Sequence, residues 1–341
     1  MSESARQQRV LVTGGAGYVG SALVEALVAA GHAVAVFDDL STGHRETLAG
    51  LDVSFVEGHL GDRAAIEAAL GEFGADAVVH TAGSIEAGES MVNPSKYYRN
   101  NVANSLNLLD ALVATGVSRF VFSSSAGVYG NPVRVPIEEE DPKAPVNCYG
   151  ETKLTIERAA TWYSQAYELR SVFLRYFNAA GATERLGEAH LPESHLIPLI
   201  LQVPLGKRER FRLFGTDYPT PDGTCIRDYV HLADLAQAHV LAISHAETLG
   251  GAAASPRHQA FNLGSGSGFS NRQVLDAARR VTGHPIPTDE LPRRPGDPAE
   301  LVASSALAQA VLGWRPRFSD VDTIIRSAWE WHQRHPNGYA G

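Results

Sequence analysis

Short runs rich in Val, Ala and Phe alternate with longer amphipathic segments from residue 9 to about residue 176. This alternation is typical of repeated β-α units that build a parallel sheet. The apolar runs predict strands at Arg9–Thr13, Ala33–Phe37, Val53–Glu57, Ala77–His80, Arg119–Ser123 and Ser171–Arg175. The segments between them predict helices that begin near Tyr18, Asp62, Tyr97 and Tyr149. We therefore expect an α/β fold in the first half of the chain.

The second half differs, because glycine, proline and other loop-forming residues become frequent after residue 176. This composition, clearest in Gly215–Gly223, predicts a smaller lobe of loops and short elements. The segment His231–His245 has a helical pattern and is expected to return to the first lobe. We predict one domain from residues 1–176 with about 228–262, and a second from about 177–227 with 263–341.

Composition narrows the class of protein. The chain has 341 residues, of which 44% are hydrophobic, so it can bury a core large enough for two lobes. Its net charge of −9 argues against nucleic acid or an anionic membrane surface as the main partner. The start of the chain, Met1–Arg9, is polar, and no apolar run approaches the ~20 residues that span a bilayer. We expect a cytoplasmic protein.

Cysteine and histidine spacing does not predict a metal. Cys148 and Cys225 form neither a ligand motif nor a disulfide framework. None of the 13 histidines forms a His-Glu-x-x-His pair. His190 and His195 lie in a loop with Glu188 and Glu193, where we expect contacts with solvent or within the second lobe.

A glycine-rich turn predicts a dinucleotide site. Gly15, Gly17 and Gly20 fit Gly-x-Gly-x-x-Gly, and Gly14 with the last two fits Gly-x-x-Gly-x-x-Gly, between the first strand and the first helix. Backbone without side chains can approach a pyrophosphate there. Asp38 ends the second strand 18 residues after Gly20, where a carboxylate accepts ribose hydrogen bonds and repels the extra phosphate of NADP. The turn therefore favours NAD and a Rossmann-type, doubly wound parallel sheet.

Tyr149 and Lys153 are four residues apart, so they share one face of a predicted helix. A tyrosine that acts as a base near neutrality needs its pKa of ~10 lowered by ~3 units, worth ~4 kcal/mol. A neighbouring ammonium can supply much of this by stabilising the phenolate. The spacing alone is common by chance, so its meaning depends on the rest of the chain.

Together with the glycine turn and the run Ser123–Gly130, the Tyr-x-x-x-Lys pair resembles the extended short-chain dehydrogenase/reductases. Further motifs resemble one branch of that superfamily, the UDP-glucose (UDP-galactose) 4-epimerase family. These motifs are Glu89-Ser90, Tyr97–Asn101, Arg175–Asn178, Asp217–Tyr229, Arg293–Asp297 with its Gly296, and His335–Tyr339. The resemblance covers nearly the whole chain.

The resemblance implies reversible inversion at C4 of a UDP-hexose, through transient oxidation to a 4-keto sugar by tightly bound NAD. It makes Tyr149 the base, with Ser125 holding the 4-oxygen and Lys153 lowering the phenol pKa and binding the nicotinamide ribose. Related 4,6-dehydratases carry Asp-Glu where this chain has Ala126-Gly127. Without those carboxylates, elimination lacks its general acid and return of the hydride is the outcome left.

The resemblance also implies two sets of binding residues. The cofactor set is Gly14, Gly17, Tyr18, Val19, Gly20, Asp38, Asp39, His59, Leu60, Ala82, Gly83, Asn100, Ser123, Tyr149, Lys153 and Phe177. The substrate set is Ser125 and Asn178 at the sugar and pyrophosphate, Leu196 and Phe214 around the uridine, Arg227, Arg294 and Asp297 at the diphosphate and ribose, and Leu301 at the sugar.

Three positions depart from the family pattern. His59 stands where an acid meets the adenine amino group, and Ile85 replaces a lysine of some members, so we expect altered NAD contacts. Leu301 is intermediate between the tyrosine that blocks N-acetylated sugars and the small residue that admits them, so we expect UDP-galactose as the main substrate.

Two alternatives stay open: a 4-epimerase for UDP-N-acetylhexosamines or UDP-pentoses, and a non-catalytic NAD-sensing protein. The resemblance further implies a homodimer formed by helices near Tyr97–Leu112 and Tyr149–Tyr167.

Overall fold

The computed structural model of the protein describes residues 7–251, 256–294 and 297–339. Residues 1–6 of the polar N-terminal segment, and Gly296 of the Arg293–Asp297 motif, lie outside the described residues.

The strands confirm the predicted α/β alternation, and the structure contains further strands that the sequence did not predict. They are β1 Arg9–Thr13, β2 Ala33–Asp38, β3 Val53–Glu57, β4 Ala77–His80, β5 Arg119–Ser125, β6 Arg170–Tyr176, β7 Asn178–Ala180, β8 Phe211–Phe214, β9 Ile226–His231, β10 His258–Leu263, β11 Gly268–Ser270, β12 Thr288–Leu291 and β13 Glu300–Leu301. Seven of them form one sheet in the order β10-β6-β5-β4-β1-β2-β3, and all neighbours run parallel. The sheet is doubly wound, as predicted, and strand order reverses between β1 and β4.

The helices cover this sheet and continue into the second half of the chain. They are α1 Tyr18–Ala29, α2 Arg63–Phe73, α3 Ala87–Val92, α4 Pro94–Tyr97, α5 Asn104–Thr115, α6 Cys148–Ala166, α7 Leu196–Leu201, α8 Leu232–Ala246, α9 Asn271–Thr282 and α10 Val321–Arg334. The helix predicted near Tyr97 is divided, because a π-helical turn at Tyr98–Ala103 separates α4 from α5. Across the described ranges, no helix is both long and apolar enough to cross a membrane.

Alternating residues of each central strand supply the cores on the two faces of the sheet. Val10 and Val12 of β1 pack on one face with α1 and α8, whereas Leu11 packs on the other with α2, α5 and α6. Helices therefore cover both faces of the sheet. The sequences of the central strands are continuous apolar runs because their side chains are buried on either face.

The rest of the chain forms small sheets with a hydrophobic core of their own. In one of them β9 lies between β11 and β13 and also pairs with β7, and in the other β8 pairs with β12. Ile197, Ile200, Leu275 and Ile324 lie in this core, which α7, α9 and α10 complete. Asp228 of β9 is fully buried and accepts hydrogen bonds from loop backbone on either side, so it fixes this lobe against the carboxyl edge of the large sheet.

Candidate active site

A cleft of about 500 Å³ lies at the carboxyl ends of the central strands and extends to the second lobe. Such a position, at the reversal of strand order, is where open α/β sheets bind ligands, and the volume is within the usual range for a ligand site. The cleft wall includes these predicted residues: Gly14, Gly17, Tyr18, Val19, Gly20, Asp38, Asp39, His59, Leu60, Ala82, Gly83, Asn100, Ser125, Tyr149, Phe177, Asn178, Leu196, Phe214, Arg227, Arg294 and Asp297. Lys153, Ser123 and Leu301 are not part of this wall but lie behind it.

The glycine turn is closely packed and leaves room only for backbone. A Cβ atom on Gly20 would stand 2.0 Å from the carbonyl oxygen of Gly14, and one on Gly14 would stand 2.6 Å from the backbone nitrogen of Ala82. Gly14 also has a φ of +74°, which favours glycine. Helix α1 begins at this turn without a side-chain cap on Gly17, so its first N–H groups are free to bind an anion. The turn therefore fits the pyrophosphate of NAD.

Asp38 is held in a fixed position beside this turn. Its two carboxylate oxygens accept hydrogen bonds at 2.9 Å from the backbone N–H groups of Ala16 and Leu40. Burial raises the pKa of Asp38, and both hydrogen bonds oppose that shift. Each oxygen keeps a lone pair for a ribose hydroxyl, so the site fits NAD and disfavours a 2′-phosphate.

His59 sits at the far end of the cofactor side, where the family pattern has an acid. Its Nδ1 accepts a hydrogen bond from Gly61 N at 2.9 Å, and its Nε2 lies 4.0 Å from the Asp39 carboxylate. Asp62 does not replace the missing acid, because it caps α2 by accepting from Ala65 N at 3.1 Å.

Helix α6 brings Tyr149 to the cleft and places Lys153 behind it. Asn147 caps the helix by accepting from Gly150 N at 2.8 Å, and Tyr149 N donates to Ser90 Oγ at 3.0 Å. The Lys153 ammonium donates to the Ser123 carbonyl at 2.8 Å and lies 5.8 Å from the centre of the Tyr149 ring. The ammonium therefore anchors α6 to β5 beside the phenol.

Burial shifts the pKa values of both Tyr149 and Lys153. Burial raises the pKa of Tyr149, the Ser125 hydroxyl opposes the rise and the charge of Glu86 adds to it. Burial also lowers the pKa of Lys153 to about 8, against the carboxylate of Glu157. Burial has the largest effect on the phenol pKa, and the Lys153 ammonium gives its hydrogen bond to the Ser123 carbonyl. The lowering of the phenol pKa by Lys153 stays a prediction.

A buried ion pair that the sequence did not indicate holds α6 in place. Glu157, one turn beyond Lys153, accepts from Arg175 of β6 at 2.6 Å and also from Ser124 of β5. The two charged side chains are only 5% and 7% exposed. The pair therefore fixes the rotation of α6 against the sheet, and with it the positions of Tyr149 and Lys153.

Asn101 is a second residue that the sequence did not single out as part of the site. Its side chain accepts from Ser84 N at 2.8 Å and donates to Ser84 O at 3.0 Å and Thr152 Oγ1 at 3.1 Å. It thus connects the loop after β4 to α6. Its neighbour Asn100 was predicted from the motif Tyr97–Asn101. The same motif was therefore the signal that could have identified Asn101.

The opposite wall of the cleft carries positive charge. Arg227 Nη2 lies 3.7 Å from Asp297, and the Arg294 guanidinium lies 4.1 Å from the centre of the Phe214 ring. Guanidinium groups suit a diphosphate because each can donate two hydrogen bonds in one plane. Asn178 Nδ2 donates to the backbone oxygen of Asp228 at 2.9 Å.

Leu301 lies behind this wall. It is the register partner of Arg227 and packs near Phe177 in a small apolar cluster.

Glu188, His190 and His195 also line the cleft, in the segment between β7 and α7. The sequence placed them in a loop but did not indicate that they meet. The adjacent Ser194 hydroxyl donates to Glu86, so this segment contacts the loop after β4.

The glycine turn at the strand reversal, the acid at the end of β2 and the Tyr-x-x-x-Lys helix beside a serine strand define a dinucleotide-dependent enzyme of the short-chain dehydrogenase/reductase type. The chain belongs to the NAD dependent epimerase/dehydratase family, whose model matches residues 10–264.

Similar proteins share nearly the full length of the chain. A UDP-glucose 4-epimerase of Halalkalibacterium halodurans is 49% identical over 333 residues, which cover 97% of each chain. The crystal structure of UDP-glucose 4-epimerase from Brucella ovis in complex with NAD has 45% identity and a TM-score of 0.90, and the match covers 95% of this chain and 98% of that one. That of the Bifidobacterium longum enzyme in complex with NAD+ and UDP has 36% identity and a TM-score of 0.90, covering 97% and 99%.

We predict that Gly20→Ala weakens NAD binding, because the new methyl group would collide with the Gly14 carbonyl. Overpacking of this kind costs about 1–3 kcal/mol, which corresponds to roughly 5- to 150-fold. NAD affinity of the stripped protein, measured by calorimetry, checks this. The matched control is Gly71→Ala on the exposed face of α2, where an added Cβ meets nothing within 4 Å. Equal affinity in both variants would contradict a role of the turn in NAD binding.

Proposed function

We propose that this chain is an NAD-dependent UDP-glucose 4-epimerase, an isomerase that interconverts UDP-glucose and UDP-galactose by inverting C4. One observation carries the proposal. Tyr149 and Ser125 face a cleft that joins the glycine turn to two guanidinium groups, and Ala126-Gly127 rather than a carboxylate follows the serine. The similar proteins support the same activity through their names.

The glycine turn and Asp38 would hold NAD, with Tyr18, Val19, Asp39, His59, Leu60, Ala82, Gly83, Asn100 and Phe177 along the same side of the cleft. Bound NAD supplies a hydride acceptor and donor and a positively charged ring. Ser123 contributes from behind the wall, since its carbonyl binds Lys153.

Tyr149 is the proposed base that takes the proton of the sugar 4-hydroxyl and later returns it. Because burial raises its pKa, Tyr149 must first release its own phenol proton to solvent, and nearby positive charge would favour that release. The phenolate then accepts the proton of the sugar 4-hydroxyl. Lys153 supplies one such charge within the buried region, and Glu157 favours its protonated form. Ser125 is placed to hold the 4-oxygen near the phenol.

The turn after Ser125 determines the fate of the oxidised sugar. Ala126–Val128 form a 3-10 turn in which Ala126 is buried. No carboxylate stands at this turn to protonate a leaving hydroxyl, so a 4-keto sugar has no route to dehydration at this point. Rotation of the sugar and reduction on its other face give the inverted C4.

The second wall is proposed to bind the UDP group. Arg227, Arg294 and Asp297 would contact the diphosphate and ribose, Leu196 and Phe214 the uridine, and Asn178 the pyrophosphate or sugar. Leu301 would influence the sugar pocket indirectly, through its packing near Phe177. UDP-galactose and UDP-glucose remain the proposed main substrates.

We also propose the two-domain division given by the sequence, since α7, α9 and α10 share a core separate from the two cores of the large sheet. Ala308, Leu312 and Trp314 of the second domain pack in a core of the large sheet and join the two domains. We propose a cytoplasmic location, in keeping with a chain that has only two cysteines. A homodimer is supported by apolar side chains exposed along the α4–α6 surface. These are Tyr98, Leu106, Val113 and Trp162.

Substrate inversion is the direct test. NAD-loaded protein should interconvert UDP-galactose and UDP-glucose without any second redox substrate, as followed by NMR. UDP-N-acetylglucosamine, UDP-N-acetylgalactosamine and UDP-xylose should react about 10- to 200-fold more slowly, the range that a single pocket difference achieves. Comparable turnover of UDP-N-acetylgalactosamine would contradict this preference, and absence of all inversion with NAD bound would favour the sensing protein.

Tyr149→Phe should lower turnover by about 10²- to 10⁴-fold, the usual contribution of a positioned proton-transfer group. NAD content and UDP affinity should be retained, because only a hydroxyl is lost. Tyr167→Phe, at the exposed end of α6, is the control that should keep full turnover. If Tyr149→Phe turns over like this control, Tyr149 is not the base.

Light scattering should give twice the chain mass of 36.5 kDa for the wild type. Trp162→Glu should shift the protein towards one chain mass, because a charge would be buried where Trp162, 68% exposed in a single chain, is proposed to be covered. Val133→Glu, which changes an exposed apolar residue away from these helices, should leave the dimer intact. A wild-type protein with the mass of one chain would contradict the proposed homodimer.

A further inference from the structure

Three metal-binding side chains converge on the cleft wall in the segment before α7. Glu188, His190 and His195 each offer one ligand atom, and these atoms all lie within 4.8 Å of one another. The two imidazole centres are 5.7 Å apart with their planes at 47°, and Glu188 contacts His190 directly. Epimerisation as proposed makes no use of this arrangement.

A second carboxylate fixes the orientation of His195. Glu193 Oε1 lies 2.9 Å from His195 Nδ1 and also accepts from the backbone N–H groups of Ser194 and His195, at 2.8 and 2.7 Å. The Glu193 side chain is only 6% exposed. A proton held on Nδ1 leaves the lone pair on Nε2, which is the arrangement found behind metal-bound histidines.

We propose that Glu188, His190 and His195 form a binding site for a divalent transition metal, with Zn²⁺ as the ion that fits best. Two imidazoles and one carboxylate are a common three-residue zinc set, and imidazole favours zinc over magnesium or calcium. Tetrahedral ligands at about 2.0–2.1 Å from zinc are roughly 3.3 Å apart, so small side-chain rotations would close the set.

The location indicates what such an ion would do. All three residues line the cleft, so water or a phosphate oxygen can complete the coordination. The metal would join both ends of the segment 188–195, whose Ser194 already contacts Glu86 of the loop after β4. The site goes beyond the proposed function, because it would order the cleft wall rather than move the proton at Tyr149.

The test measures zinc binding directly. Tag-free protein is stripped with a chelator and titrated with Zn²⁺ by calorimetry, and bound metal is counted by mass spectrometry after dialysis. We expect one Zn²⁺ per chain in the wild type. His190→Gln and His195→Gln should each weaken binding by more than about 100-fold, and Glu193→Gln, which removes only the orienting carboxylate, by about 10- to 100-fold.

His284→Gln, in the turn between α9 and β12, is the matched histidine control and should bind Zn²⁺ like the wild type. A wild type without stoichiometric Zn²⁺, or cluster variants that bind as tightly as His284→Gln, would overturn the site. Should the cluster variants unfold, anomalous diffraction from wild-type crystals grown with Zn²⁺ decides: an ion between the three side chains supports the site, and an ion only elsewhere removes it. Because none of these readouts depends on turnover, the site can fail while the epimerase proposal stands.

Discussion

The buried ion pair between Glu157 and Arg175 is the constraint on which the proposed chemistry depends. Removing one partner of such a pair typically costs about 3–5 kcal/mol, because a charge is left unpaired in the interior. Glu157 therefore cannot leave Arg175, and α6 cannot rotate without breaking that contact. Tyr149 and Lys153 lie on the same helix, two turns and one turn earlier, so the sheet sets where the phenol points.

Two opposing electrostatic environments meet in the cleft. The cofactor side presents the buried carboxylate of Asp38 beside the N-terminus of α1, and the second lobe presents Arg227 and Arg294. The chain as a whole carries −9, so these guanidinium groups are a local exception that an anionic ligand would need. Between the two sides, desolvation governs the proton equilibria: it raises the pKa of Tyr149 and lowers that of Lys153.

The sequence predicted most of the sheet because the central strands β1, β4, β5 and β6 are buried on both faces. The ends of β1, β3 and β4 match the predicted bounds, and β2, β5 and β6 differ by one or two residues. The strand β10 was not among the predicted strands, since its run begins with the polar residues His258 and Gln259. The range of about 228–262 predicted for the first domain nevertheless covers β10 except for its last residue, Leu263.

The site was predictable where regular structure sets the spacing. Helical periodicity brings Tyr149 and Lys153 together, and the strand-turn-helix unit orders the glycine turn. The directions of the side chains were not predictable: the Lys153 ammonium donates to the Ser123 carbonyl, and burial raises the pKa of Tyr149. The meeting of Glu188, His190 and His195 depends on an irregular segment whose backbone follows no period.

The separate core of the second lobe has an evolutionary consequence. Phe214 and Arg294 belong to neither of the cores that lie under Tyr149 and the glycine turn, so we expect substitutions at that wall to leave those cores unchanged. Redox machinery and sugar recognition can therefore diverge at different rates within one gene. A descendant of this chain could acquire a new sugar while inheriting its proton-transfer apparatus intact.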